Sequence, residues 1–174
     1  MSINEFISKE KNRILEELFS LIRIPSVSAH QHRQPEIAQC ALRWKELLLQ
    51  AGADSAEVMA TQGNPVVFAE KKTDPSKPTV LVYGHYDVMP AEPLELWTTP
   101  AFEPEIRDGK IYARGADDDK GQSFMHLKAF EYLVASDQLP CNVKFLIEGE
   151  EEIGSVHLEA FCQANKELLK CDTV

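Results

Sequence analysis

The chain has 174 residues, enough for one substantial core and too few for several independent ones. Its 44% hydrophobic and 26% charged content is that of a globular protein, and a net charge of −10 with no basic stripe makes nucleic acid and anionic membrane poor partners. Four cysteines, Cys40, Cys141, Cys162 and Cys171, with no C-x-x-C pairing, exclude a disulfide scaffold or a zinc ribbon.

Glu5, Lys9, Glu10, Lys11, Arg13, Glu16 and Glu17 interrupt the segment Met1 to Ile24, so it is no signal peptide, and no stretch is apolar enough to span a bilayer. A cytoplasmic location is the expectation. Ile3, Phe6, Ile7, Ile14, Leu15, Leu18, Leu21 and Ile22 recur every three or four residues, which predicts an amphipathic helix ended by Pro25. A second helix starts at Pro35, uses Ile37, Ala38, Ala41, Leu42, Leu48 and Leu49, and stops at Gly52. Strands follow at Ala56–Met59, Val66–Glu70 and Thr79–Gly84; the last is a continuous apolar run suited to burial on both faces. Between His85 and Phe102 the chain is loop-like, with Pro90, Pro93, Pro100 and the large apolar Trp97. Asp108-Gly109 between two alternating segments predicts a hairpin. A helix then runs from Gly121 to about Ala135, a buried strand covers Val143–Ile147, a helix covers roughly Ser155–Leu169, and Cys171–Val174 begins another strand. Helices alternating with buried strands predict an α/β fold with a mainly parallel central sheet flanked by helices.

Three clusters carry candidate chemistry. Gly84-His85-Tyr86-Asp87 directly follows a buried strand, where ligands of open α/β sheets gather. Two residues apart in extended chain, Asp87 can reach the His85 imidazole, fix its tautomer and make the other nitrogen a better metal ligand. Alone, the pattern is more often a turn whose histidine faces water. Asp117-Asp118-Asp119 precedes a helix, where acids commonly serve as caps; three adjacent carboxylates also repel one another, and a cation relieves that cost. Glu148-Gly149-Glu150-Glu151-Glu152 again follows a buried strand. A solvated acidic loop is the bland alternative; one glutamate holding metal beside another acting as general base is the functional one. Jointly the clusters supply what metal-assisted hydrolysis requires, and carboxylates plus one imidazole suit zinc, with manganese or cobalt as alternatives.

The motifs Val-Tyr-Gly-His85-Tyr-Asp87-Val-Met-Pro, Trp97, Pro100-Ala-Phe-Glu-Pro, Asp108-Gly-Lys-Ile-Tyr-Ala-Arg114-Gly-Ala-Asp-Asp118-Asp-Lys-Gly and Glu148-Gly-Glu-Glu151-Glu152-Ile-Gly-Ser resemble, in this order, the dinuclear zinc peptidase family of carnosinase, carboxypeptidase G, aminoacylase and succinyl-diaminopimelate desuccinylase. The spacing is most similar to the carnosinase-like dipeptidase branch. The resemblance implies a zinc-exopeptidase-like fold and two zinc ions, with His85 on one, Glu152 on the other and Asp118 bridging. It makes Glu151 the general base and Asp87 the support of His85, and it implies a cis peptide bond between Asp118 and Asp119. Ala113, Asp117 and Ile153 depart from the usual pattern without touching an implied ligand. The implied substrate is a dipeptide or the C-terminal residue of a small peptide, or alternatively an N-acyl amino acid. A non-catalytic truncated homologue is the competing possibility from another class. Two further metal ligands, and a lid domain that carries homodimer contacts, are implied to lie outside residues 1–174. The chain then reads as the N-terminal part of a catalytic domain, incomplete and inactive by itself.

Overall fold

The computed structural model describes residues 2–174. Helix α1 (Ile3–Ile22) is opened by a reciprocal cap: Ser2 Oγ accepts from the Glu5 amide at 3.3 Å while Glu5 Oε2 accepts from the Ser2 amide at 2.7 Å. Helix α2 (Gln34–Gln50) has Pro35 in its first turn, and Gly52 follows it at φ +103°. The strands are β1 (Ser55–Met59), β2 (Val66–Lys71), β3 (Thr79–His85), β4 (Glu105–Arg107), β5 (Lys110–Tyr112) and β6 (Asn142–Glu148). Between β5 and β6 lies α3 (Lys120–Ala135). The β4–β5 hairpin turns on Asp108 at φ 49° and Gly109 at φ 75°, the pair of left-handed residues that a tight primed turn requires.

The main sheet has the order β1-β2-β6-β3. A helix-flanked central sheet matches expectation, but the pairing is mixed rather than mainly parallel. Strands β3 and β6 are parallel, whereas β1–β2 and β2–β6 are antiparallel. The link 60–65 between β1 and β2 is too short for a crossover, so those two strands form a hairpin. Near the C-terminus Thr173 bridges Val80 in parallel, which continues the sheet beyond β3.

Strand alternation divides the core. Val67, Ala69, Val143, Phe145 and Ile147 point to the face covered by α1, α2 and α3, where Trp44, Leu48 and Leu127 are fully buried. Val66, Phe68, Leu81 and Leu146 point to the other face and meet Phe161 and Leu169. The helix expected over Ser155–Leu169 is two shorter ones, α4 (Leu158–Ala164) and α5 (Lys166–Leu169). Asn165 separates them by leaving helical geometry at φ −116° and ψ 27°, while its Nδ2 donates at 2.8 Å to the Phe161 carbonyl that its own amide reaches at 3.0 Å.

Candidate metal centre

The parallel ladder between β3 and β6 sets the site. His85 is paired directly with Glu148, so the His85-Tyr86-Asp87 segment and the acidic run leave the same edge of the sheet side by side. Beyond the last pair, the Tyr86 amide donates to the Glu148 carbonyl at 2.8 Å. The aspartate cluster arrives from the start of α3. Asp119 Oδ2 accepts from the His85 amide at 3.1 Å and from Ser123 Oγ at 2.5 Å. That close approach needs Gly84, because a Cβ there would stand 2.0 Å from Ser123 Oγ.

His85 is 6% exposed and has a carboxylate on each side. Its Nδ1 lies 3.1 Å from the Asp87 backbone carbonyl and 3.4 Å from Asp87 Oδ1. Its Nε2 lies 3.1 Å from Asp118 Oδ1 and 3.6 Å from Glu151 Oε2. Burial alone lowers the imidazole pKa, but the Asp87 contact and the charges of Asp119 and Glu151 outweigh it and push it up to about 9. Asp87 is fully buried and accepts from the amides of Glu151 at 3.2 Å and Glu152 at 3.1 Å. It therefore ties the first cluster to the third.

The acidic run is not one solvated loop. Glu151 is exposed and Glu152 half-buried, within a short 3₁₀ turn (Glu151–Ile153) that faces the histidine. Burial, then the charge of Asp118, raises the Glu152 pKa. Glu148 and Glu150 turn inward instead and are only 2% and 5% exposed. Tyr83 and Ser155 donate to Glu148 Oε1 at 2.5 and 2.8 Å, yet burial keeps that carboxyl above its ordinary value. These two inward carboxylates were not singled out in the sequence, where four glutamates in five residues look alike. Lys120 was missed as well. It is fully buried, and its Nζ donates to the carbonyls of Leu21 and Ile24 at 2.9 and 2.7 Å, fastening the start of α3 to the end of α1.

The peptide bond Asp118–Asp119 is cis, as the resemblance implies. Asp117 is exposed, and the carboxylates that flank the His85 ring are those of Asp87, Asp118 and Glu151 instead. Among the described residues no three His, Cys, Asp or Glu side chains form a ready-made cage for one ion. The His85 imidazole and the Asp118 carboxylate, 3.1 Å apart, are donor types that suit a borderline divalent cation, and the Glu151 carboxylate stands beside them 3.6 Å from the imidazole.

Residues 81–173 match the model of peptidase family M20/M25/M40, a span that contains all three clusters. The chain belongs to that family. It is 35% identical over 173 residues to a beta-Ala-His dipeptidase of Rattus norvegicus, covering 94% of this chain and 34% of the relative. It is 33% identical over 178 residues to a cysteinylglycine-S-conjugate dipeptidase of Corynebacterium striatum, covering 99% of this chain and 38% of that protein. Among solved structures, an M20 family metallo-carboxypeptidase of Sulfolobus solfataricus superposes with a TM-score of 0.86 at 39% identity, over 92% of this chain and 36% of that one. The M20 chain thus spans about a third of the length of the curated relatives it matches. Among the described residues no helix is long and apolar enough to cross a membrane.

Proposed function

We propose that this chain supplies the front part of the catalytic domain of an M20 metallopeptidase that hydrolyses the amide bond of a dipeptide or of a C-terminal residue. The observation that carries this is the His85 imidazole held between Asp87 on Nδ1 and Asp118 with Glu151 on Nε2. One zinc would be held by His85, the other by Glu152, with Asp118 common to both; manganese or cobalt is the alternative metal. Such ions, when bound, supply Lewis acidity toward a water and an amide carbonyl.

The chain's own residues do the rest. Asp87 orients the imidazole and keeps Nε2 directed at the metal, the usual task of a carboxylate behind a ligating histidine. Its two bonds to the amides of Glu151 and Glu152 hold those side chains beside His85. Glu151, exposed and among the described residues in contact with no hydrogen-bond donor but the imidazole, takes a proton from the attacking water and returns it to the departing amine nitrogen. The remaining ligands, a lid and the contacts of a homodimer belong, on this proposal, to the rest of a longer protein. Four free cysteines agree with a cytoplasmic setting.

The test is a pair of substitutions in the full-length protein. His85→Ala should lose metal, measured by elemental analysis. Glu151→Gln should keep metal and lose turnover on a dipeptide panel by about 10²-fold or more, the contribution of a general base. Retention of more than about a tenth of activity by Glu151→Gln would remove Glu151 from that role. N-acyl amino acids belong in the same panel, because deacylation uses the same chemistry and is the second candidate reaction.

A further inference from the structure

Glu150 sits between the glycine that follows β6 and the two glutamates that face His85, yet it points the other way. Its carboxylate is 5% exposed and gathers three donors. The Asn64 amide reaches Oε1 at 3.0 Å, the His157 amide reaches Oε2 at 3.2 Å, and His157 Nδ1 stands 2.9 Å from Oε2 and 3.1 Å from Oε1. Asn64 in turn donates from Nδ2 to the Gly149 carbonyl at 2.6 Å and accepts from Gln34 Nε2 at 2.9 Å. The fit is close: a Cβ on Gly63 would lie 1.9 Å from Glu150 Oε1. The Glu150 backbone carbonyl also accepts from the amides of Ile153 at 3.1 Å and Ser155 at 2.7 Å, closing the 3₁₀ turn that carries Glu151 and Glu152.

We propose that Glu150 and His157 form a positioning pair that locks the acidic turn from behind, so that Glu151 and Glu152 are aimed at the metals. Asp87 holds the same turn from the front, through the amides of Glu151 and Glu152. Two anchors on opposite sides of one short turn remove its freedom to rotate. One anchor alone leaves a hinge at Gly149 on one side and at Gly154, φ +90°, on the other. Misplacement of a reacting group by about 1 Å costs on the order of 10²-fold in rate. The proposal rests on the metallopeptidase reading of the site, and it adds Glu150 and His157 to what that site depends on.

The experiment uses the full-length, metal-saturated enzyme with Glu150→Gln, His157→Ala and the double variant. Each is followed by dipeptide kinetics per folded molecule and by the visible absorption of the cobalt-substituted form. Glu150→Gln and His157→Ala should each lower kcat about 10-fold or more with KM changed less than about 3-fold, and shift the cobalt bands. The double variant should be little worse than the poorer single one, since both changes release the same turn. His157 has a 30% exposed side chain, so its replacement carries the test if Glu150→Gln folds poorly. Lower thermal stability with kcat within about 2-fold and an unaltered cobalt spectrum would overturn the positioning role. His85→Ala separates the two levels: if it too stays active, the metallopeptidase reading itself falls, and if it alone is inactive, only the anchor does.

Discussion

Replacing Lys120 by Met keeps most of the stem and removes the ammonium. Two charge-assisted hydrogen bonds disappear, to Leu21 O at 2.9 Å and Ile24 O at 2.7 Å, inside a site with no solvent exposure. Bonds to a charged group contribute about 1.5–3 kcal/mol each, so the gross loss is roughly 3–6 kcal/mol. Two effects reduce it. Burying the ammonium is itself costly, as the lowered pKa of Lys120 shows, and Met escapes that cost. Both carbonyls also keep a backbone donor: Ile24 N donates to Leu21 O at 3.2 Å, and Ser26 N to Ile24 O at 2.8 Å. The expected net destabilisation is therefore about 2–4 kcal/mol, a large part of the roughly 5–15 kcal/mol that holds a typical domain together. Urea unfolding followed by far-UV circular dichroism measures it, with exposed Lys110→Met as a control expected within about 0.5 kcal/mol of the unsubstituted protein. A Lys120→Met midpoint indistinguishable from that control would refute the bridge between α1 and α3 as a stabilising contact.

A second expectation concerns acid. Burial raises the Glu17 pKa, but the hydrogen bonds and charges of Lys128 and Arg13 outweigh it, and the folded value lies below the ordinary one. A depressed carboxylate contributes stability that is complete above its unfolded pKa of about 4.3 and is lost as pH falls through the lower folded value. The difference in unfolding midpoint between the unsubstituted protein and Glu17→Gln should accordingly be largest near neutral pH and shrink below about pH 4; a constant gap down to pH 3 contradicts it. Gly84→Ala should cost about 1–3 kcal/mol, because the new methyl would sit 2.0 Å from Ser123 Oγ. Ser123→Ala in the same chain should restore part of that loss in thermal unfolding, and no restoration would place the clash elsewhere.

Much of the fold is legible in the sequence because its elements obey a single strong period. The apolar spacing of α1, the Pro35 and Gly52 brackets of α2 and the Asp108-Gly109 turn each state a local geometry that nothing distant needs to override. Sheet pairing is different in kind. Whether β2 meets β6 in parallel or antiparallel is decided by partners some eighty positions apart, and the apolar run Val66 to Ala69 reads the same either way. The break at Asn165 escapes notice because the residues on both sides are good helix formers. In the site, the strand-end placement of His85 and the acidic run is readable, since strand ends follow from the strands. The inward turn of Glu148 and Glu150 is not, because their partners Tyr83, Ser155, Asn64 and His157 come from separate segments.

The pairing of His85 with Glu148 also constrains how the molecule reaches its working state. The two residues lie sixty-three positions apart, and although β6 also pairs with β2, its parallel ladder with β3 needs α3 to close the crossover between them. Contacts across such long loops form late and slowly, after local helices and hairpins. A slip of one residue in this ladder would turn Glu148 from the interior to the opposite face, and with it reverse the side on which Glu151 and Glu152 emerge. The clusters of the site therefore come together only when the β3–β6 ladder is in register. If the metal centre is as proposed, metal uptake by the full-length protein during refolding should follow the closing of β3 on β6 rather than precede it.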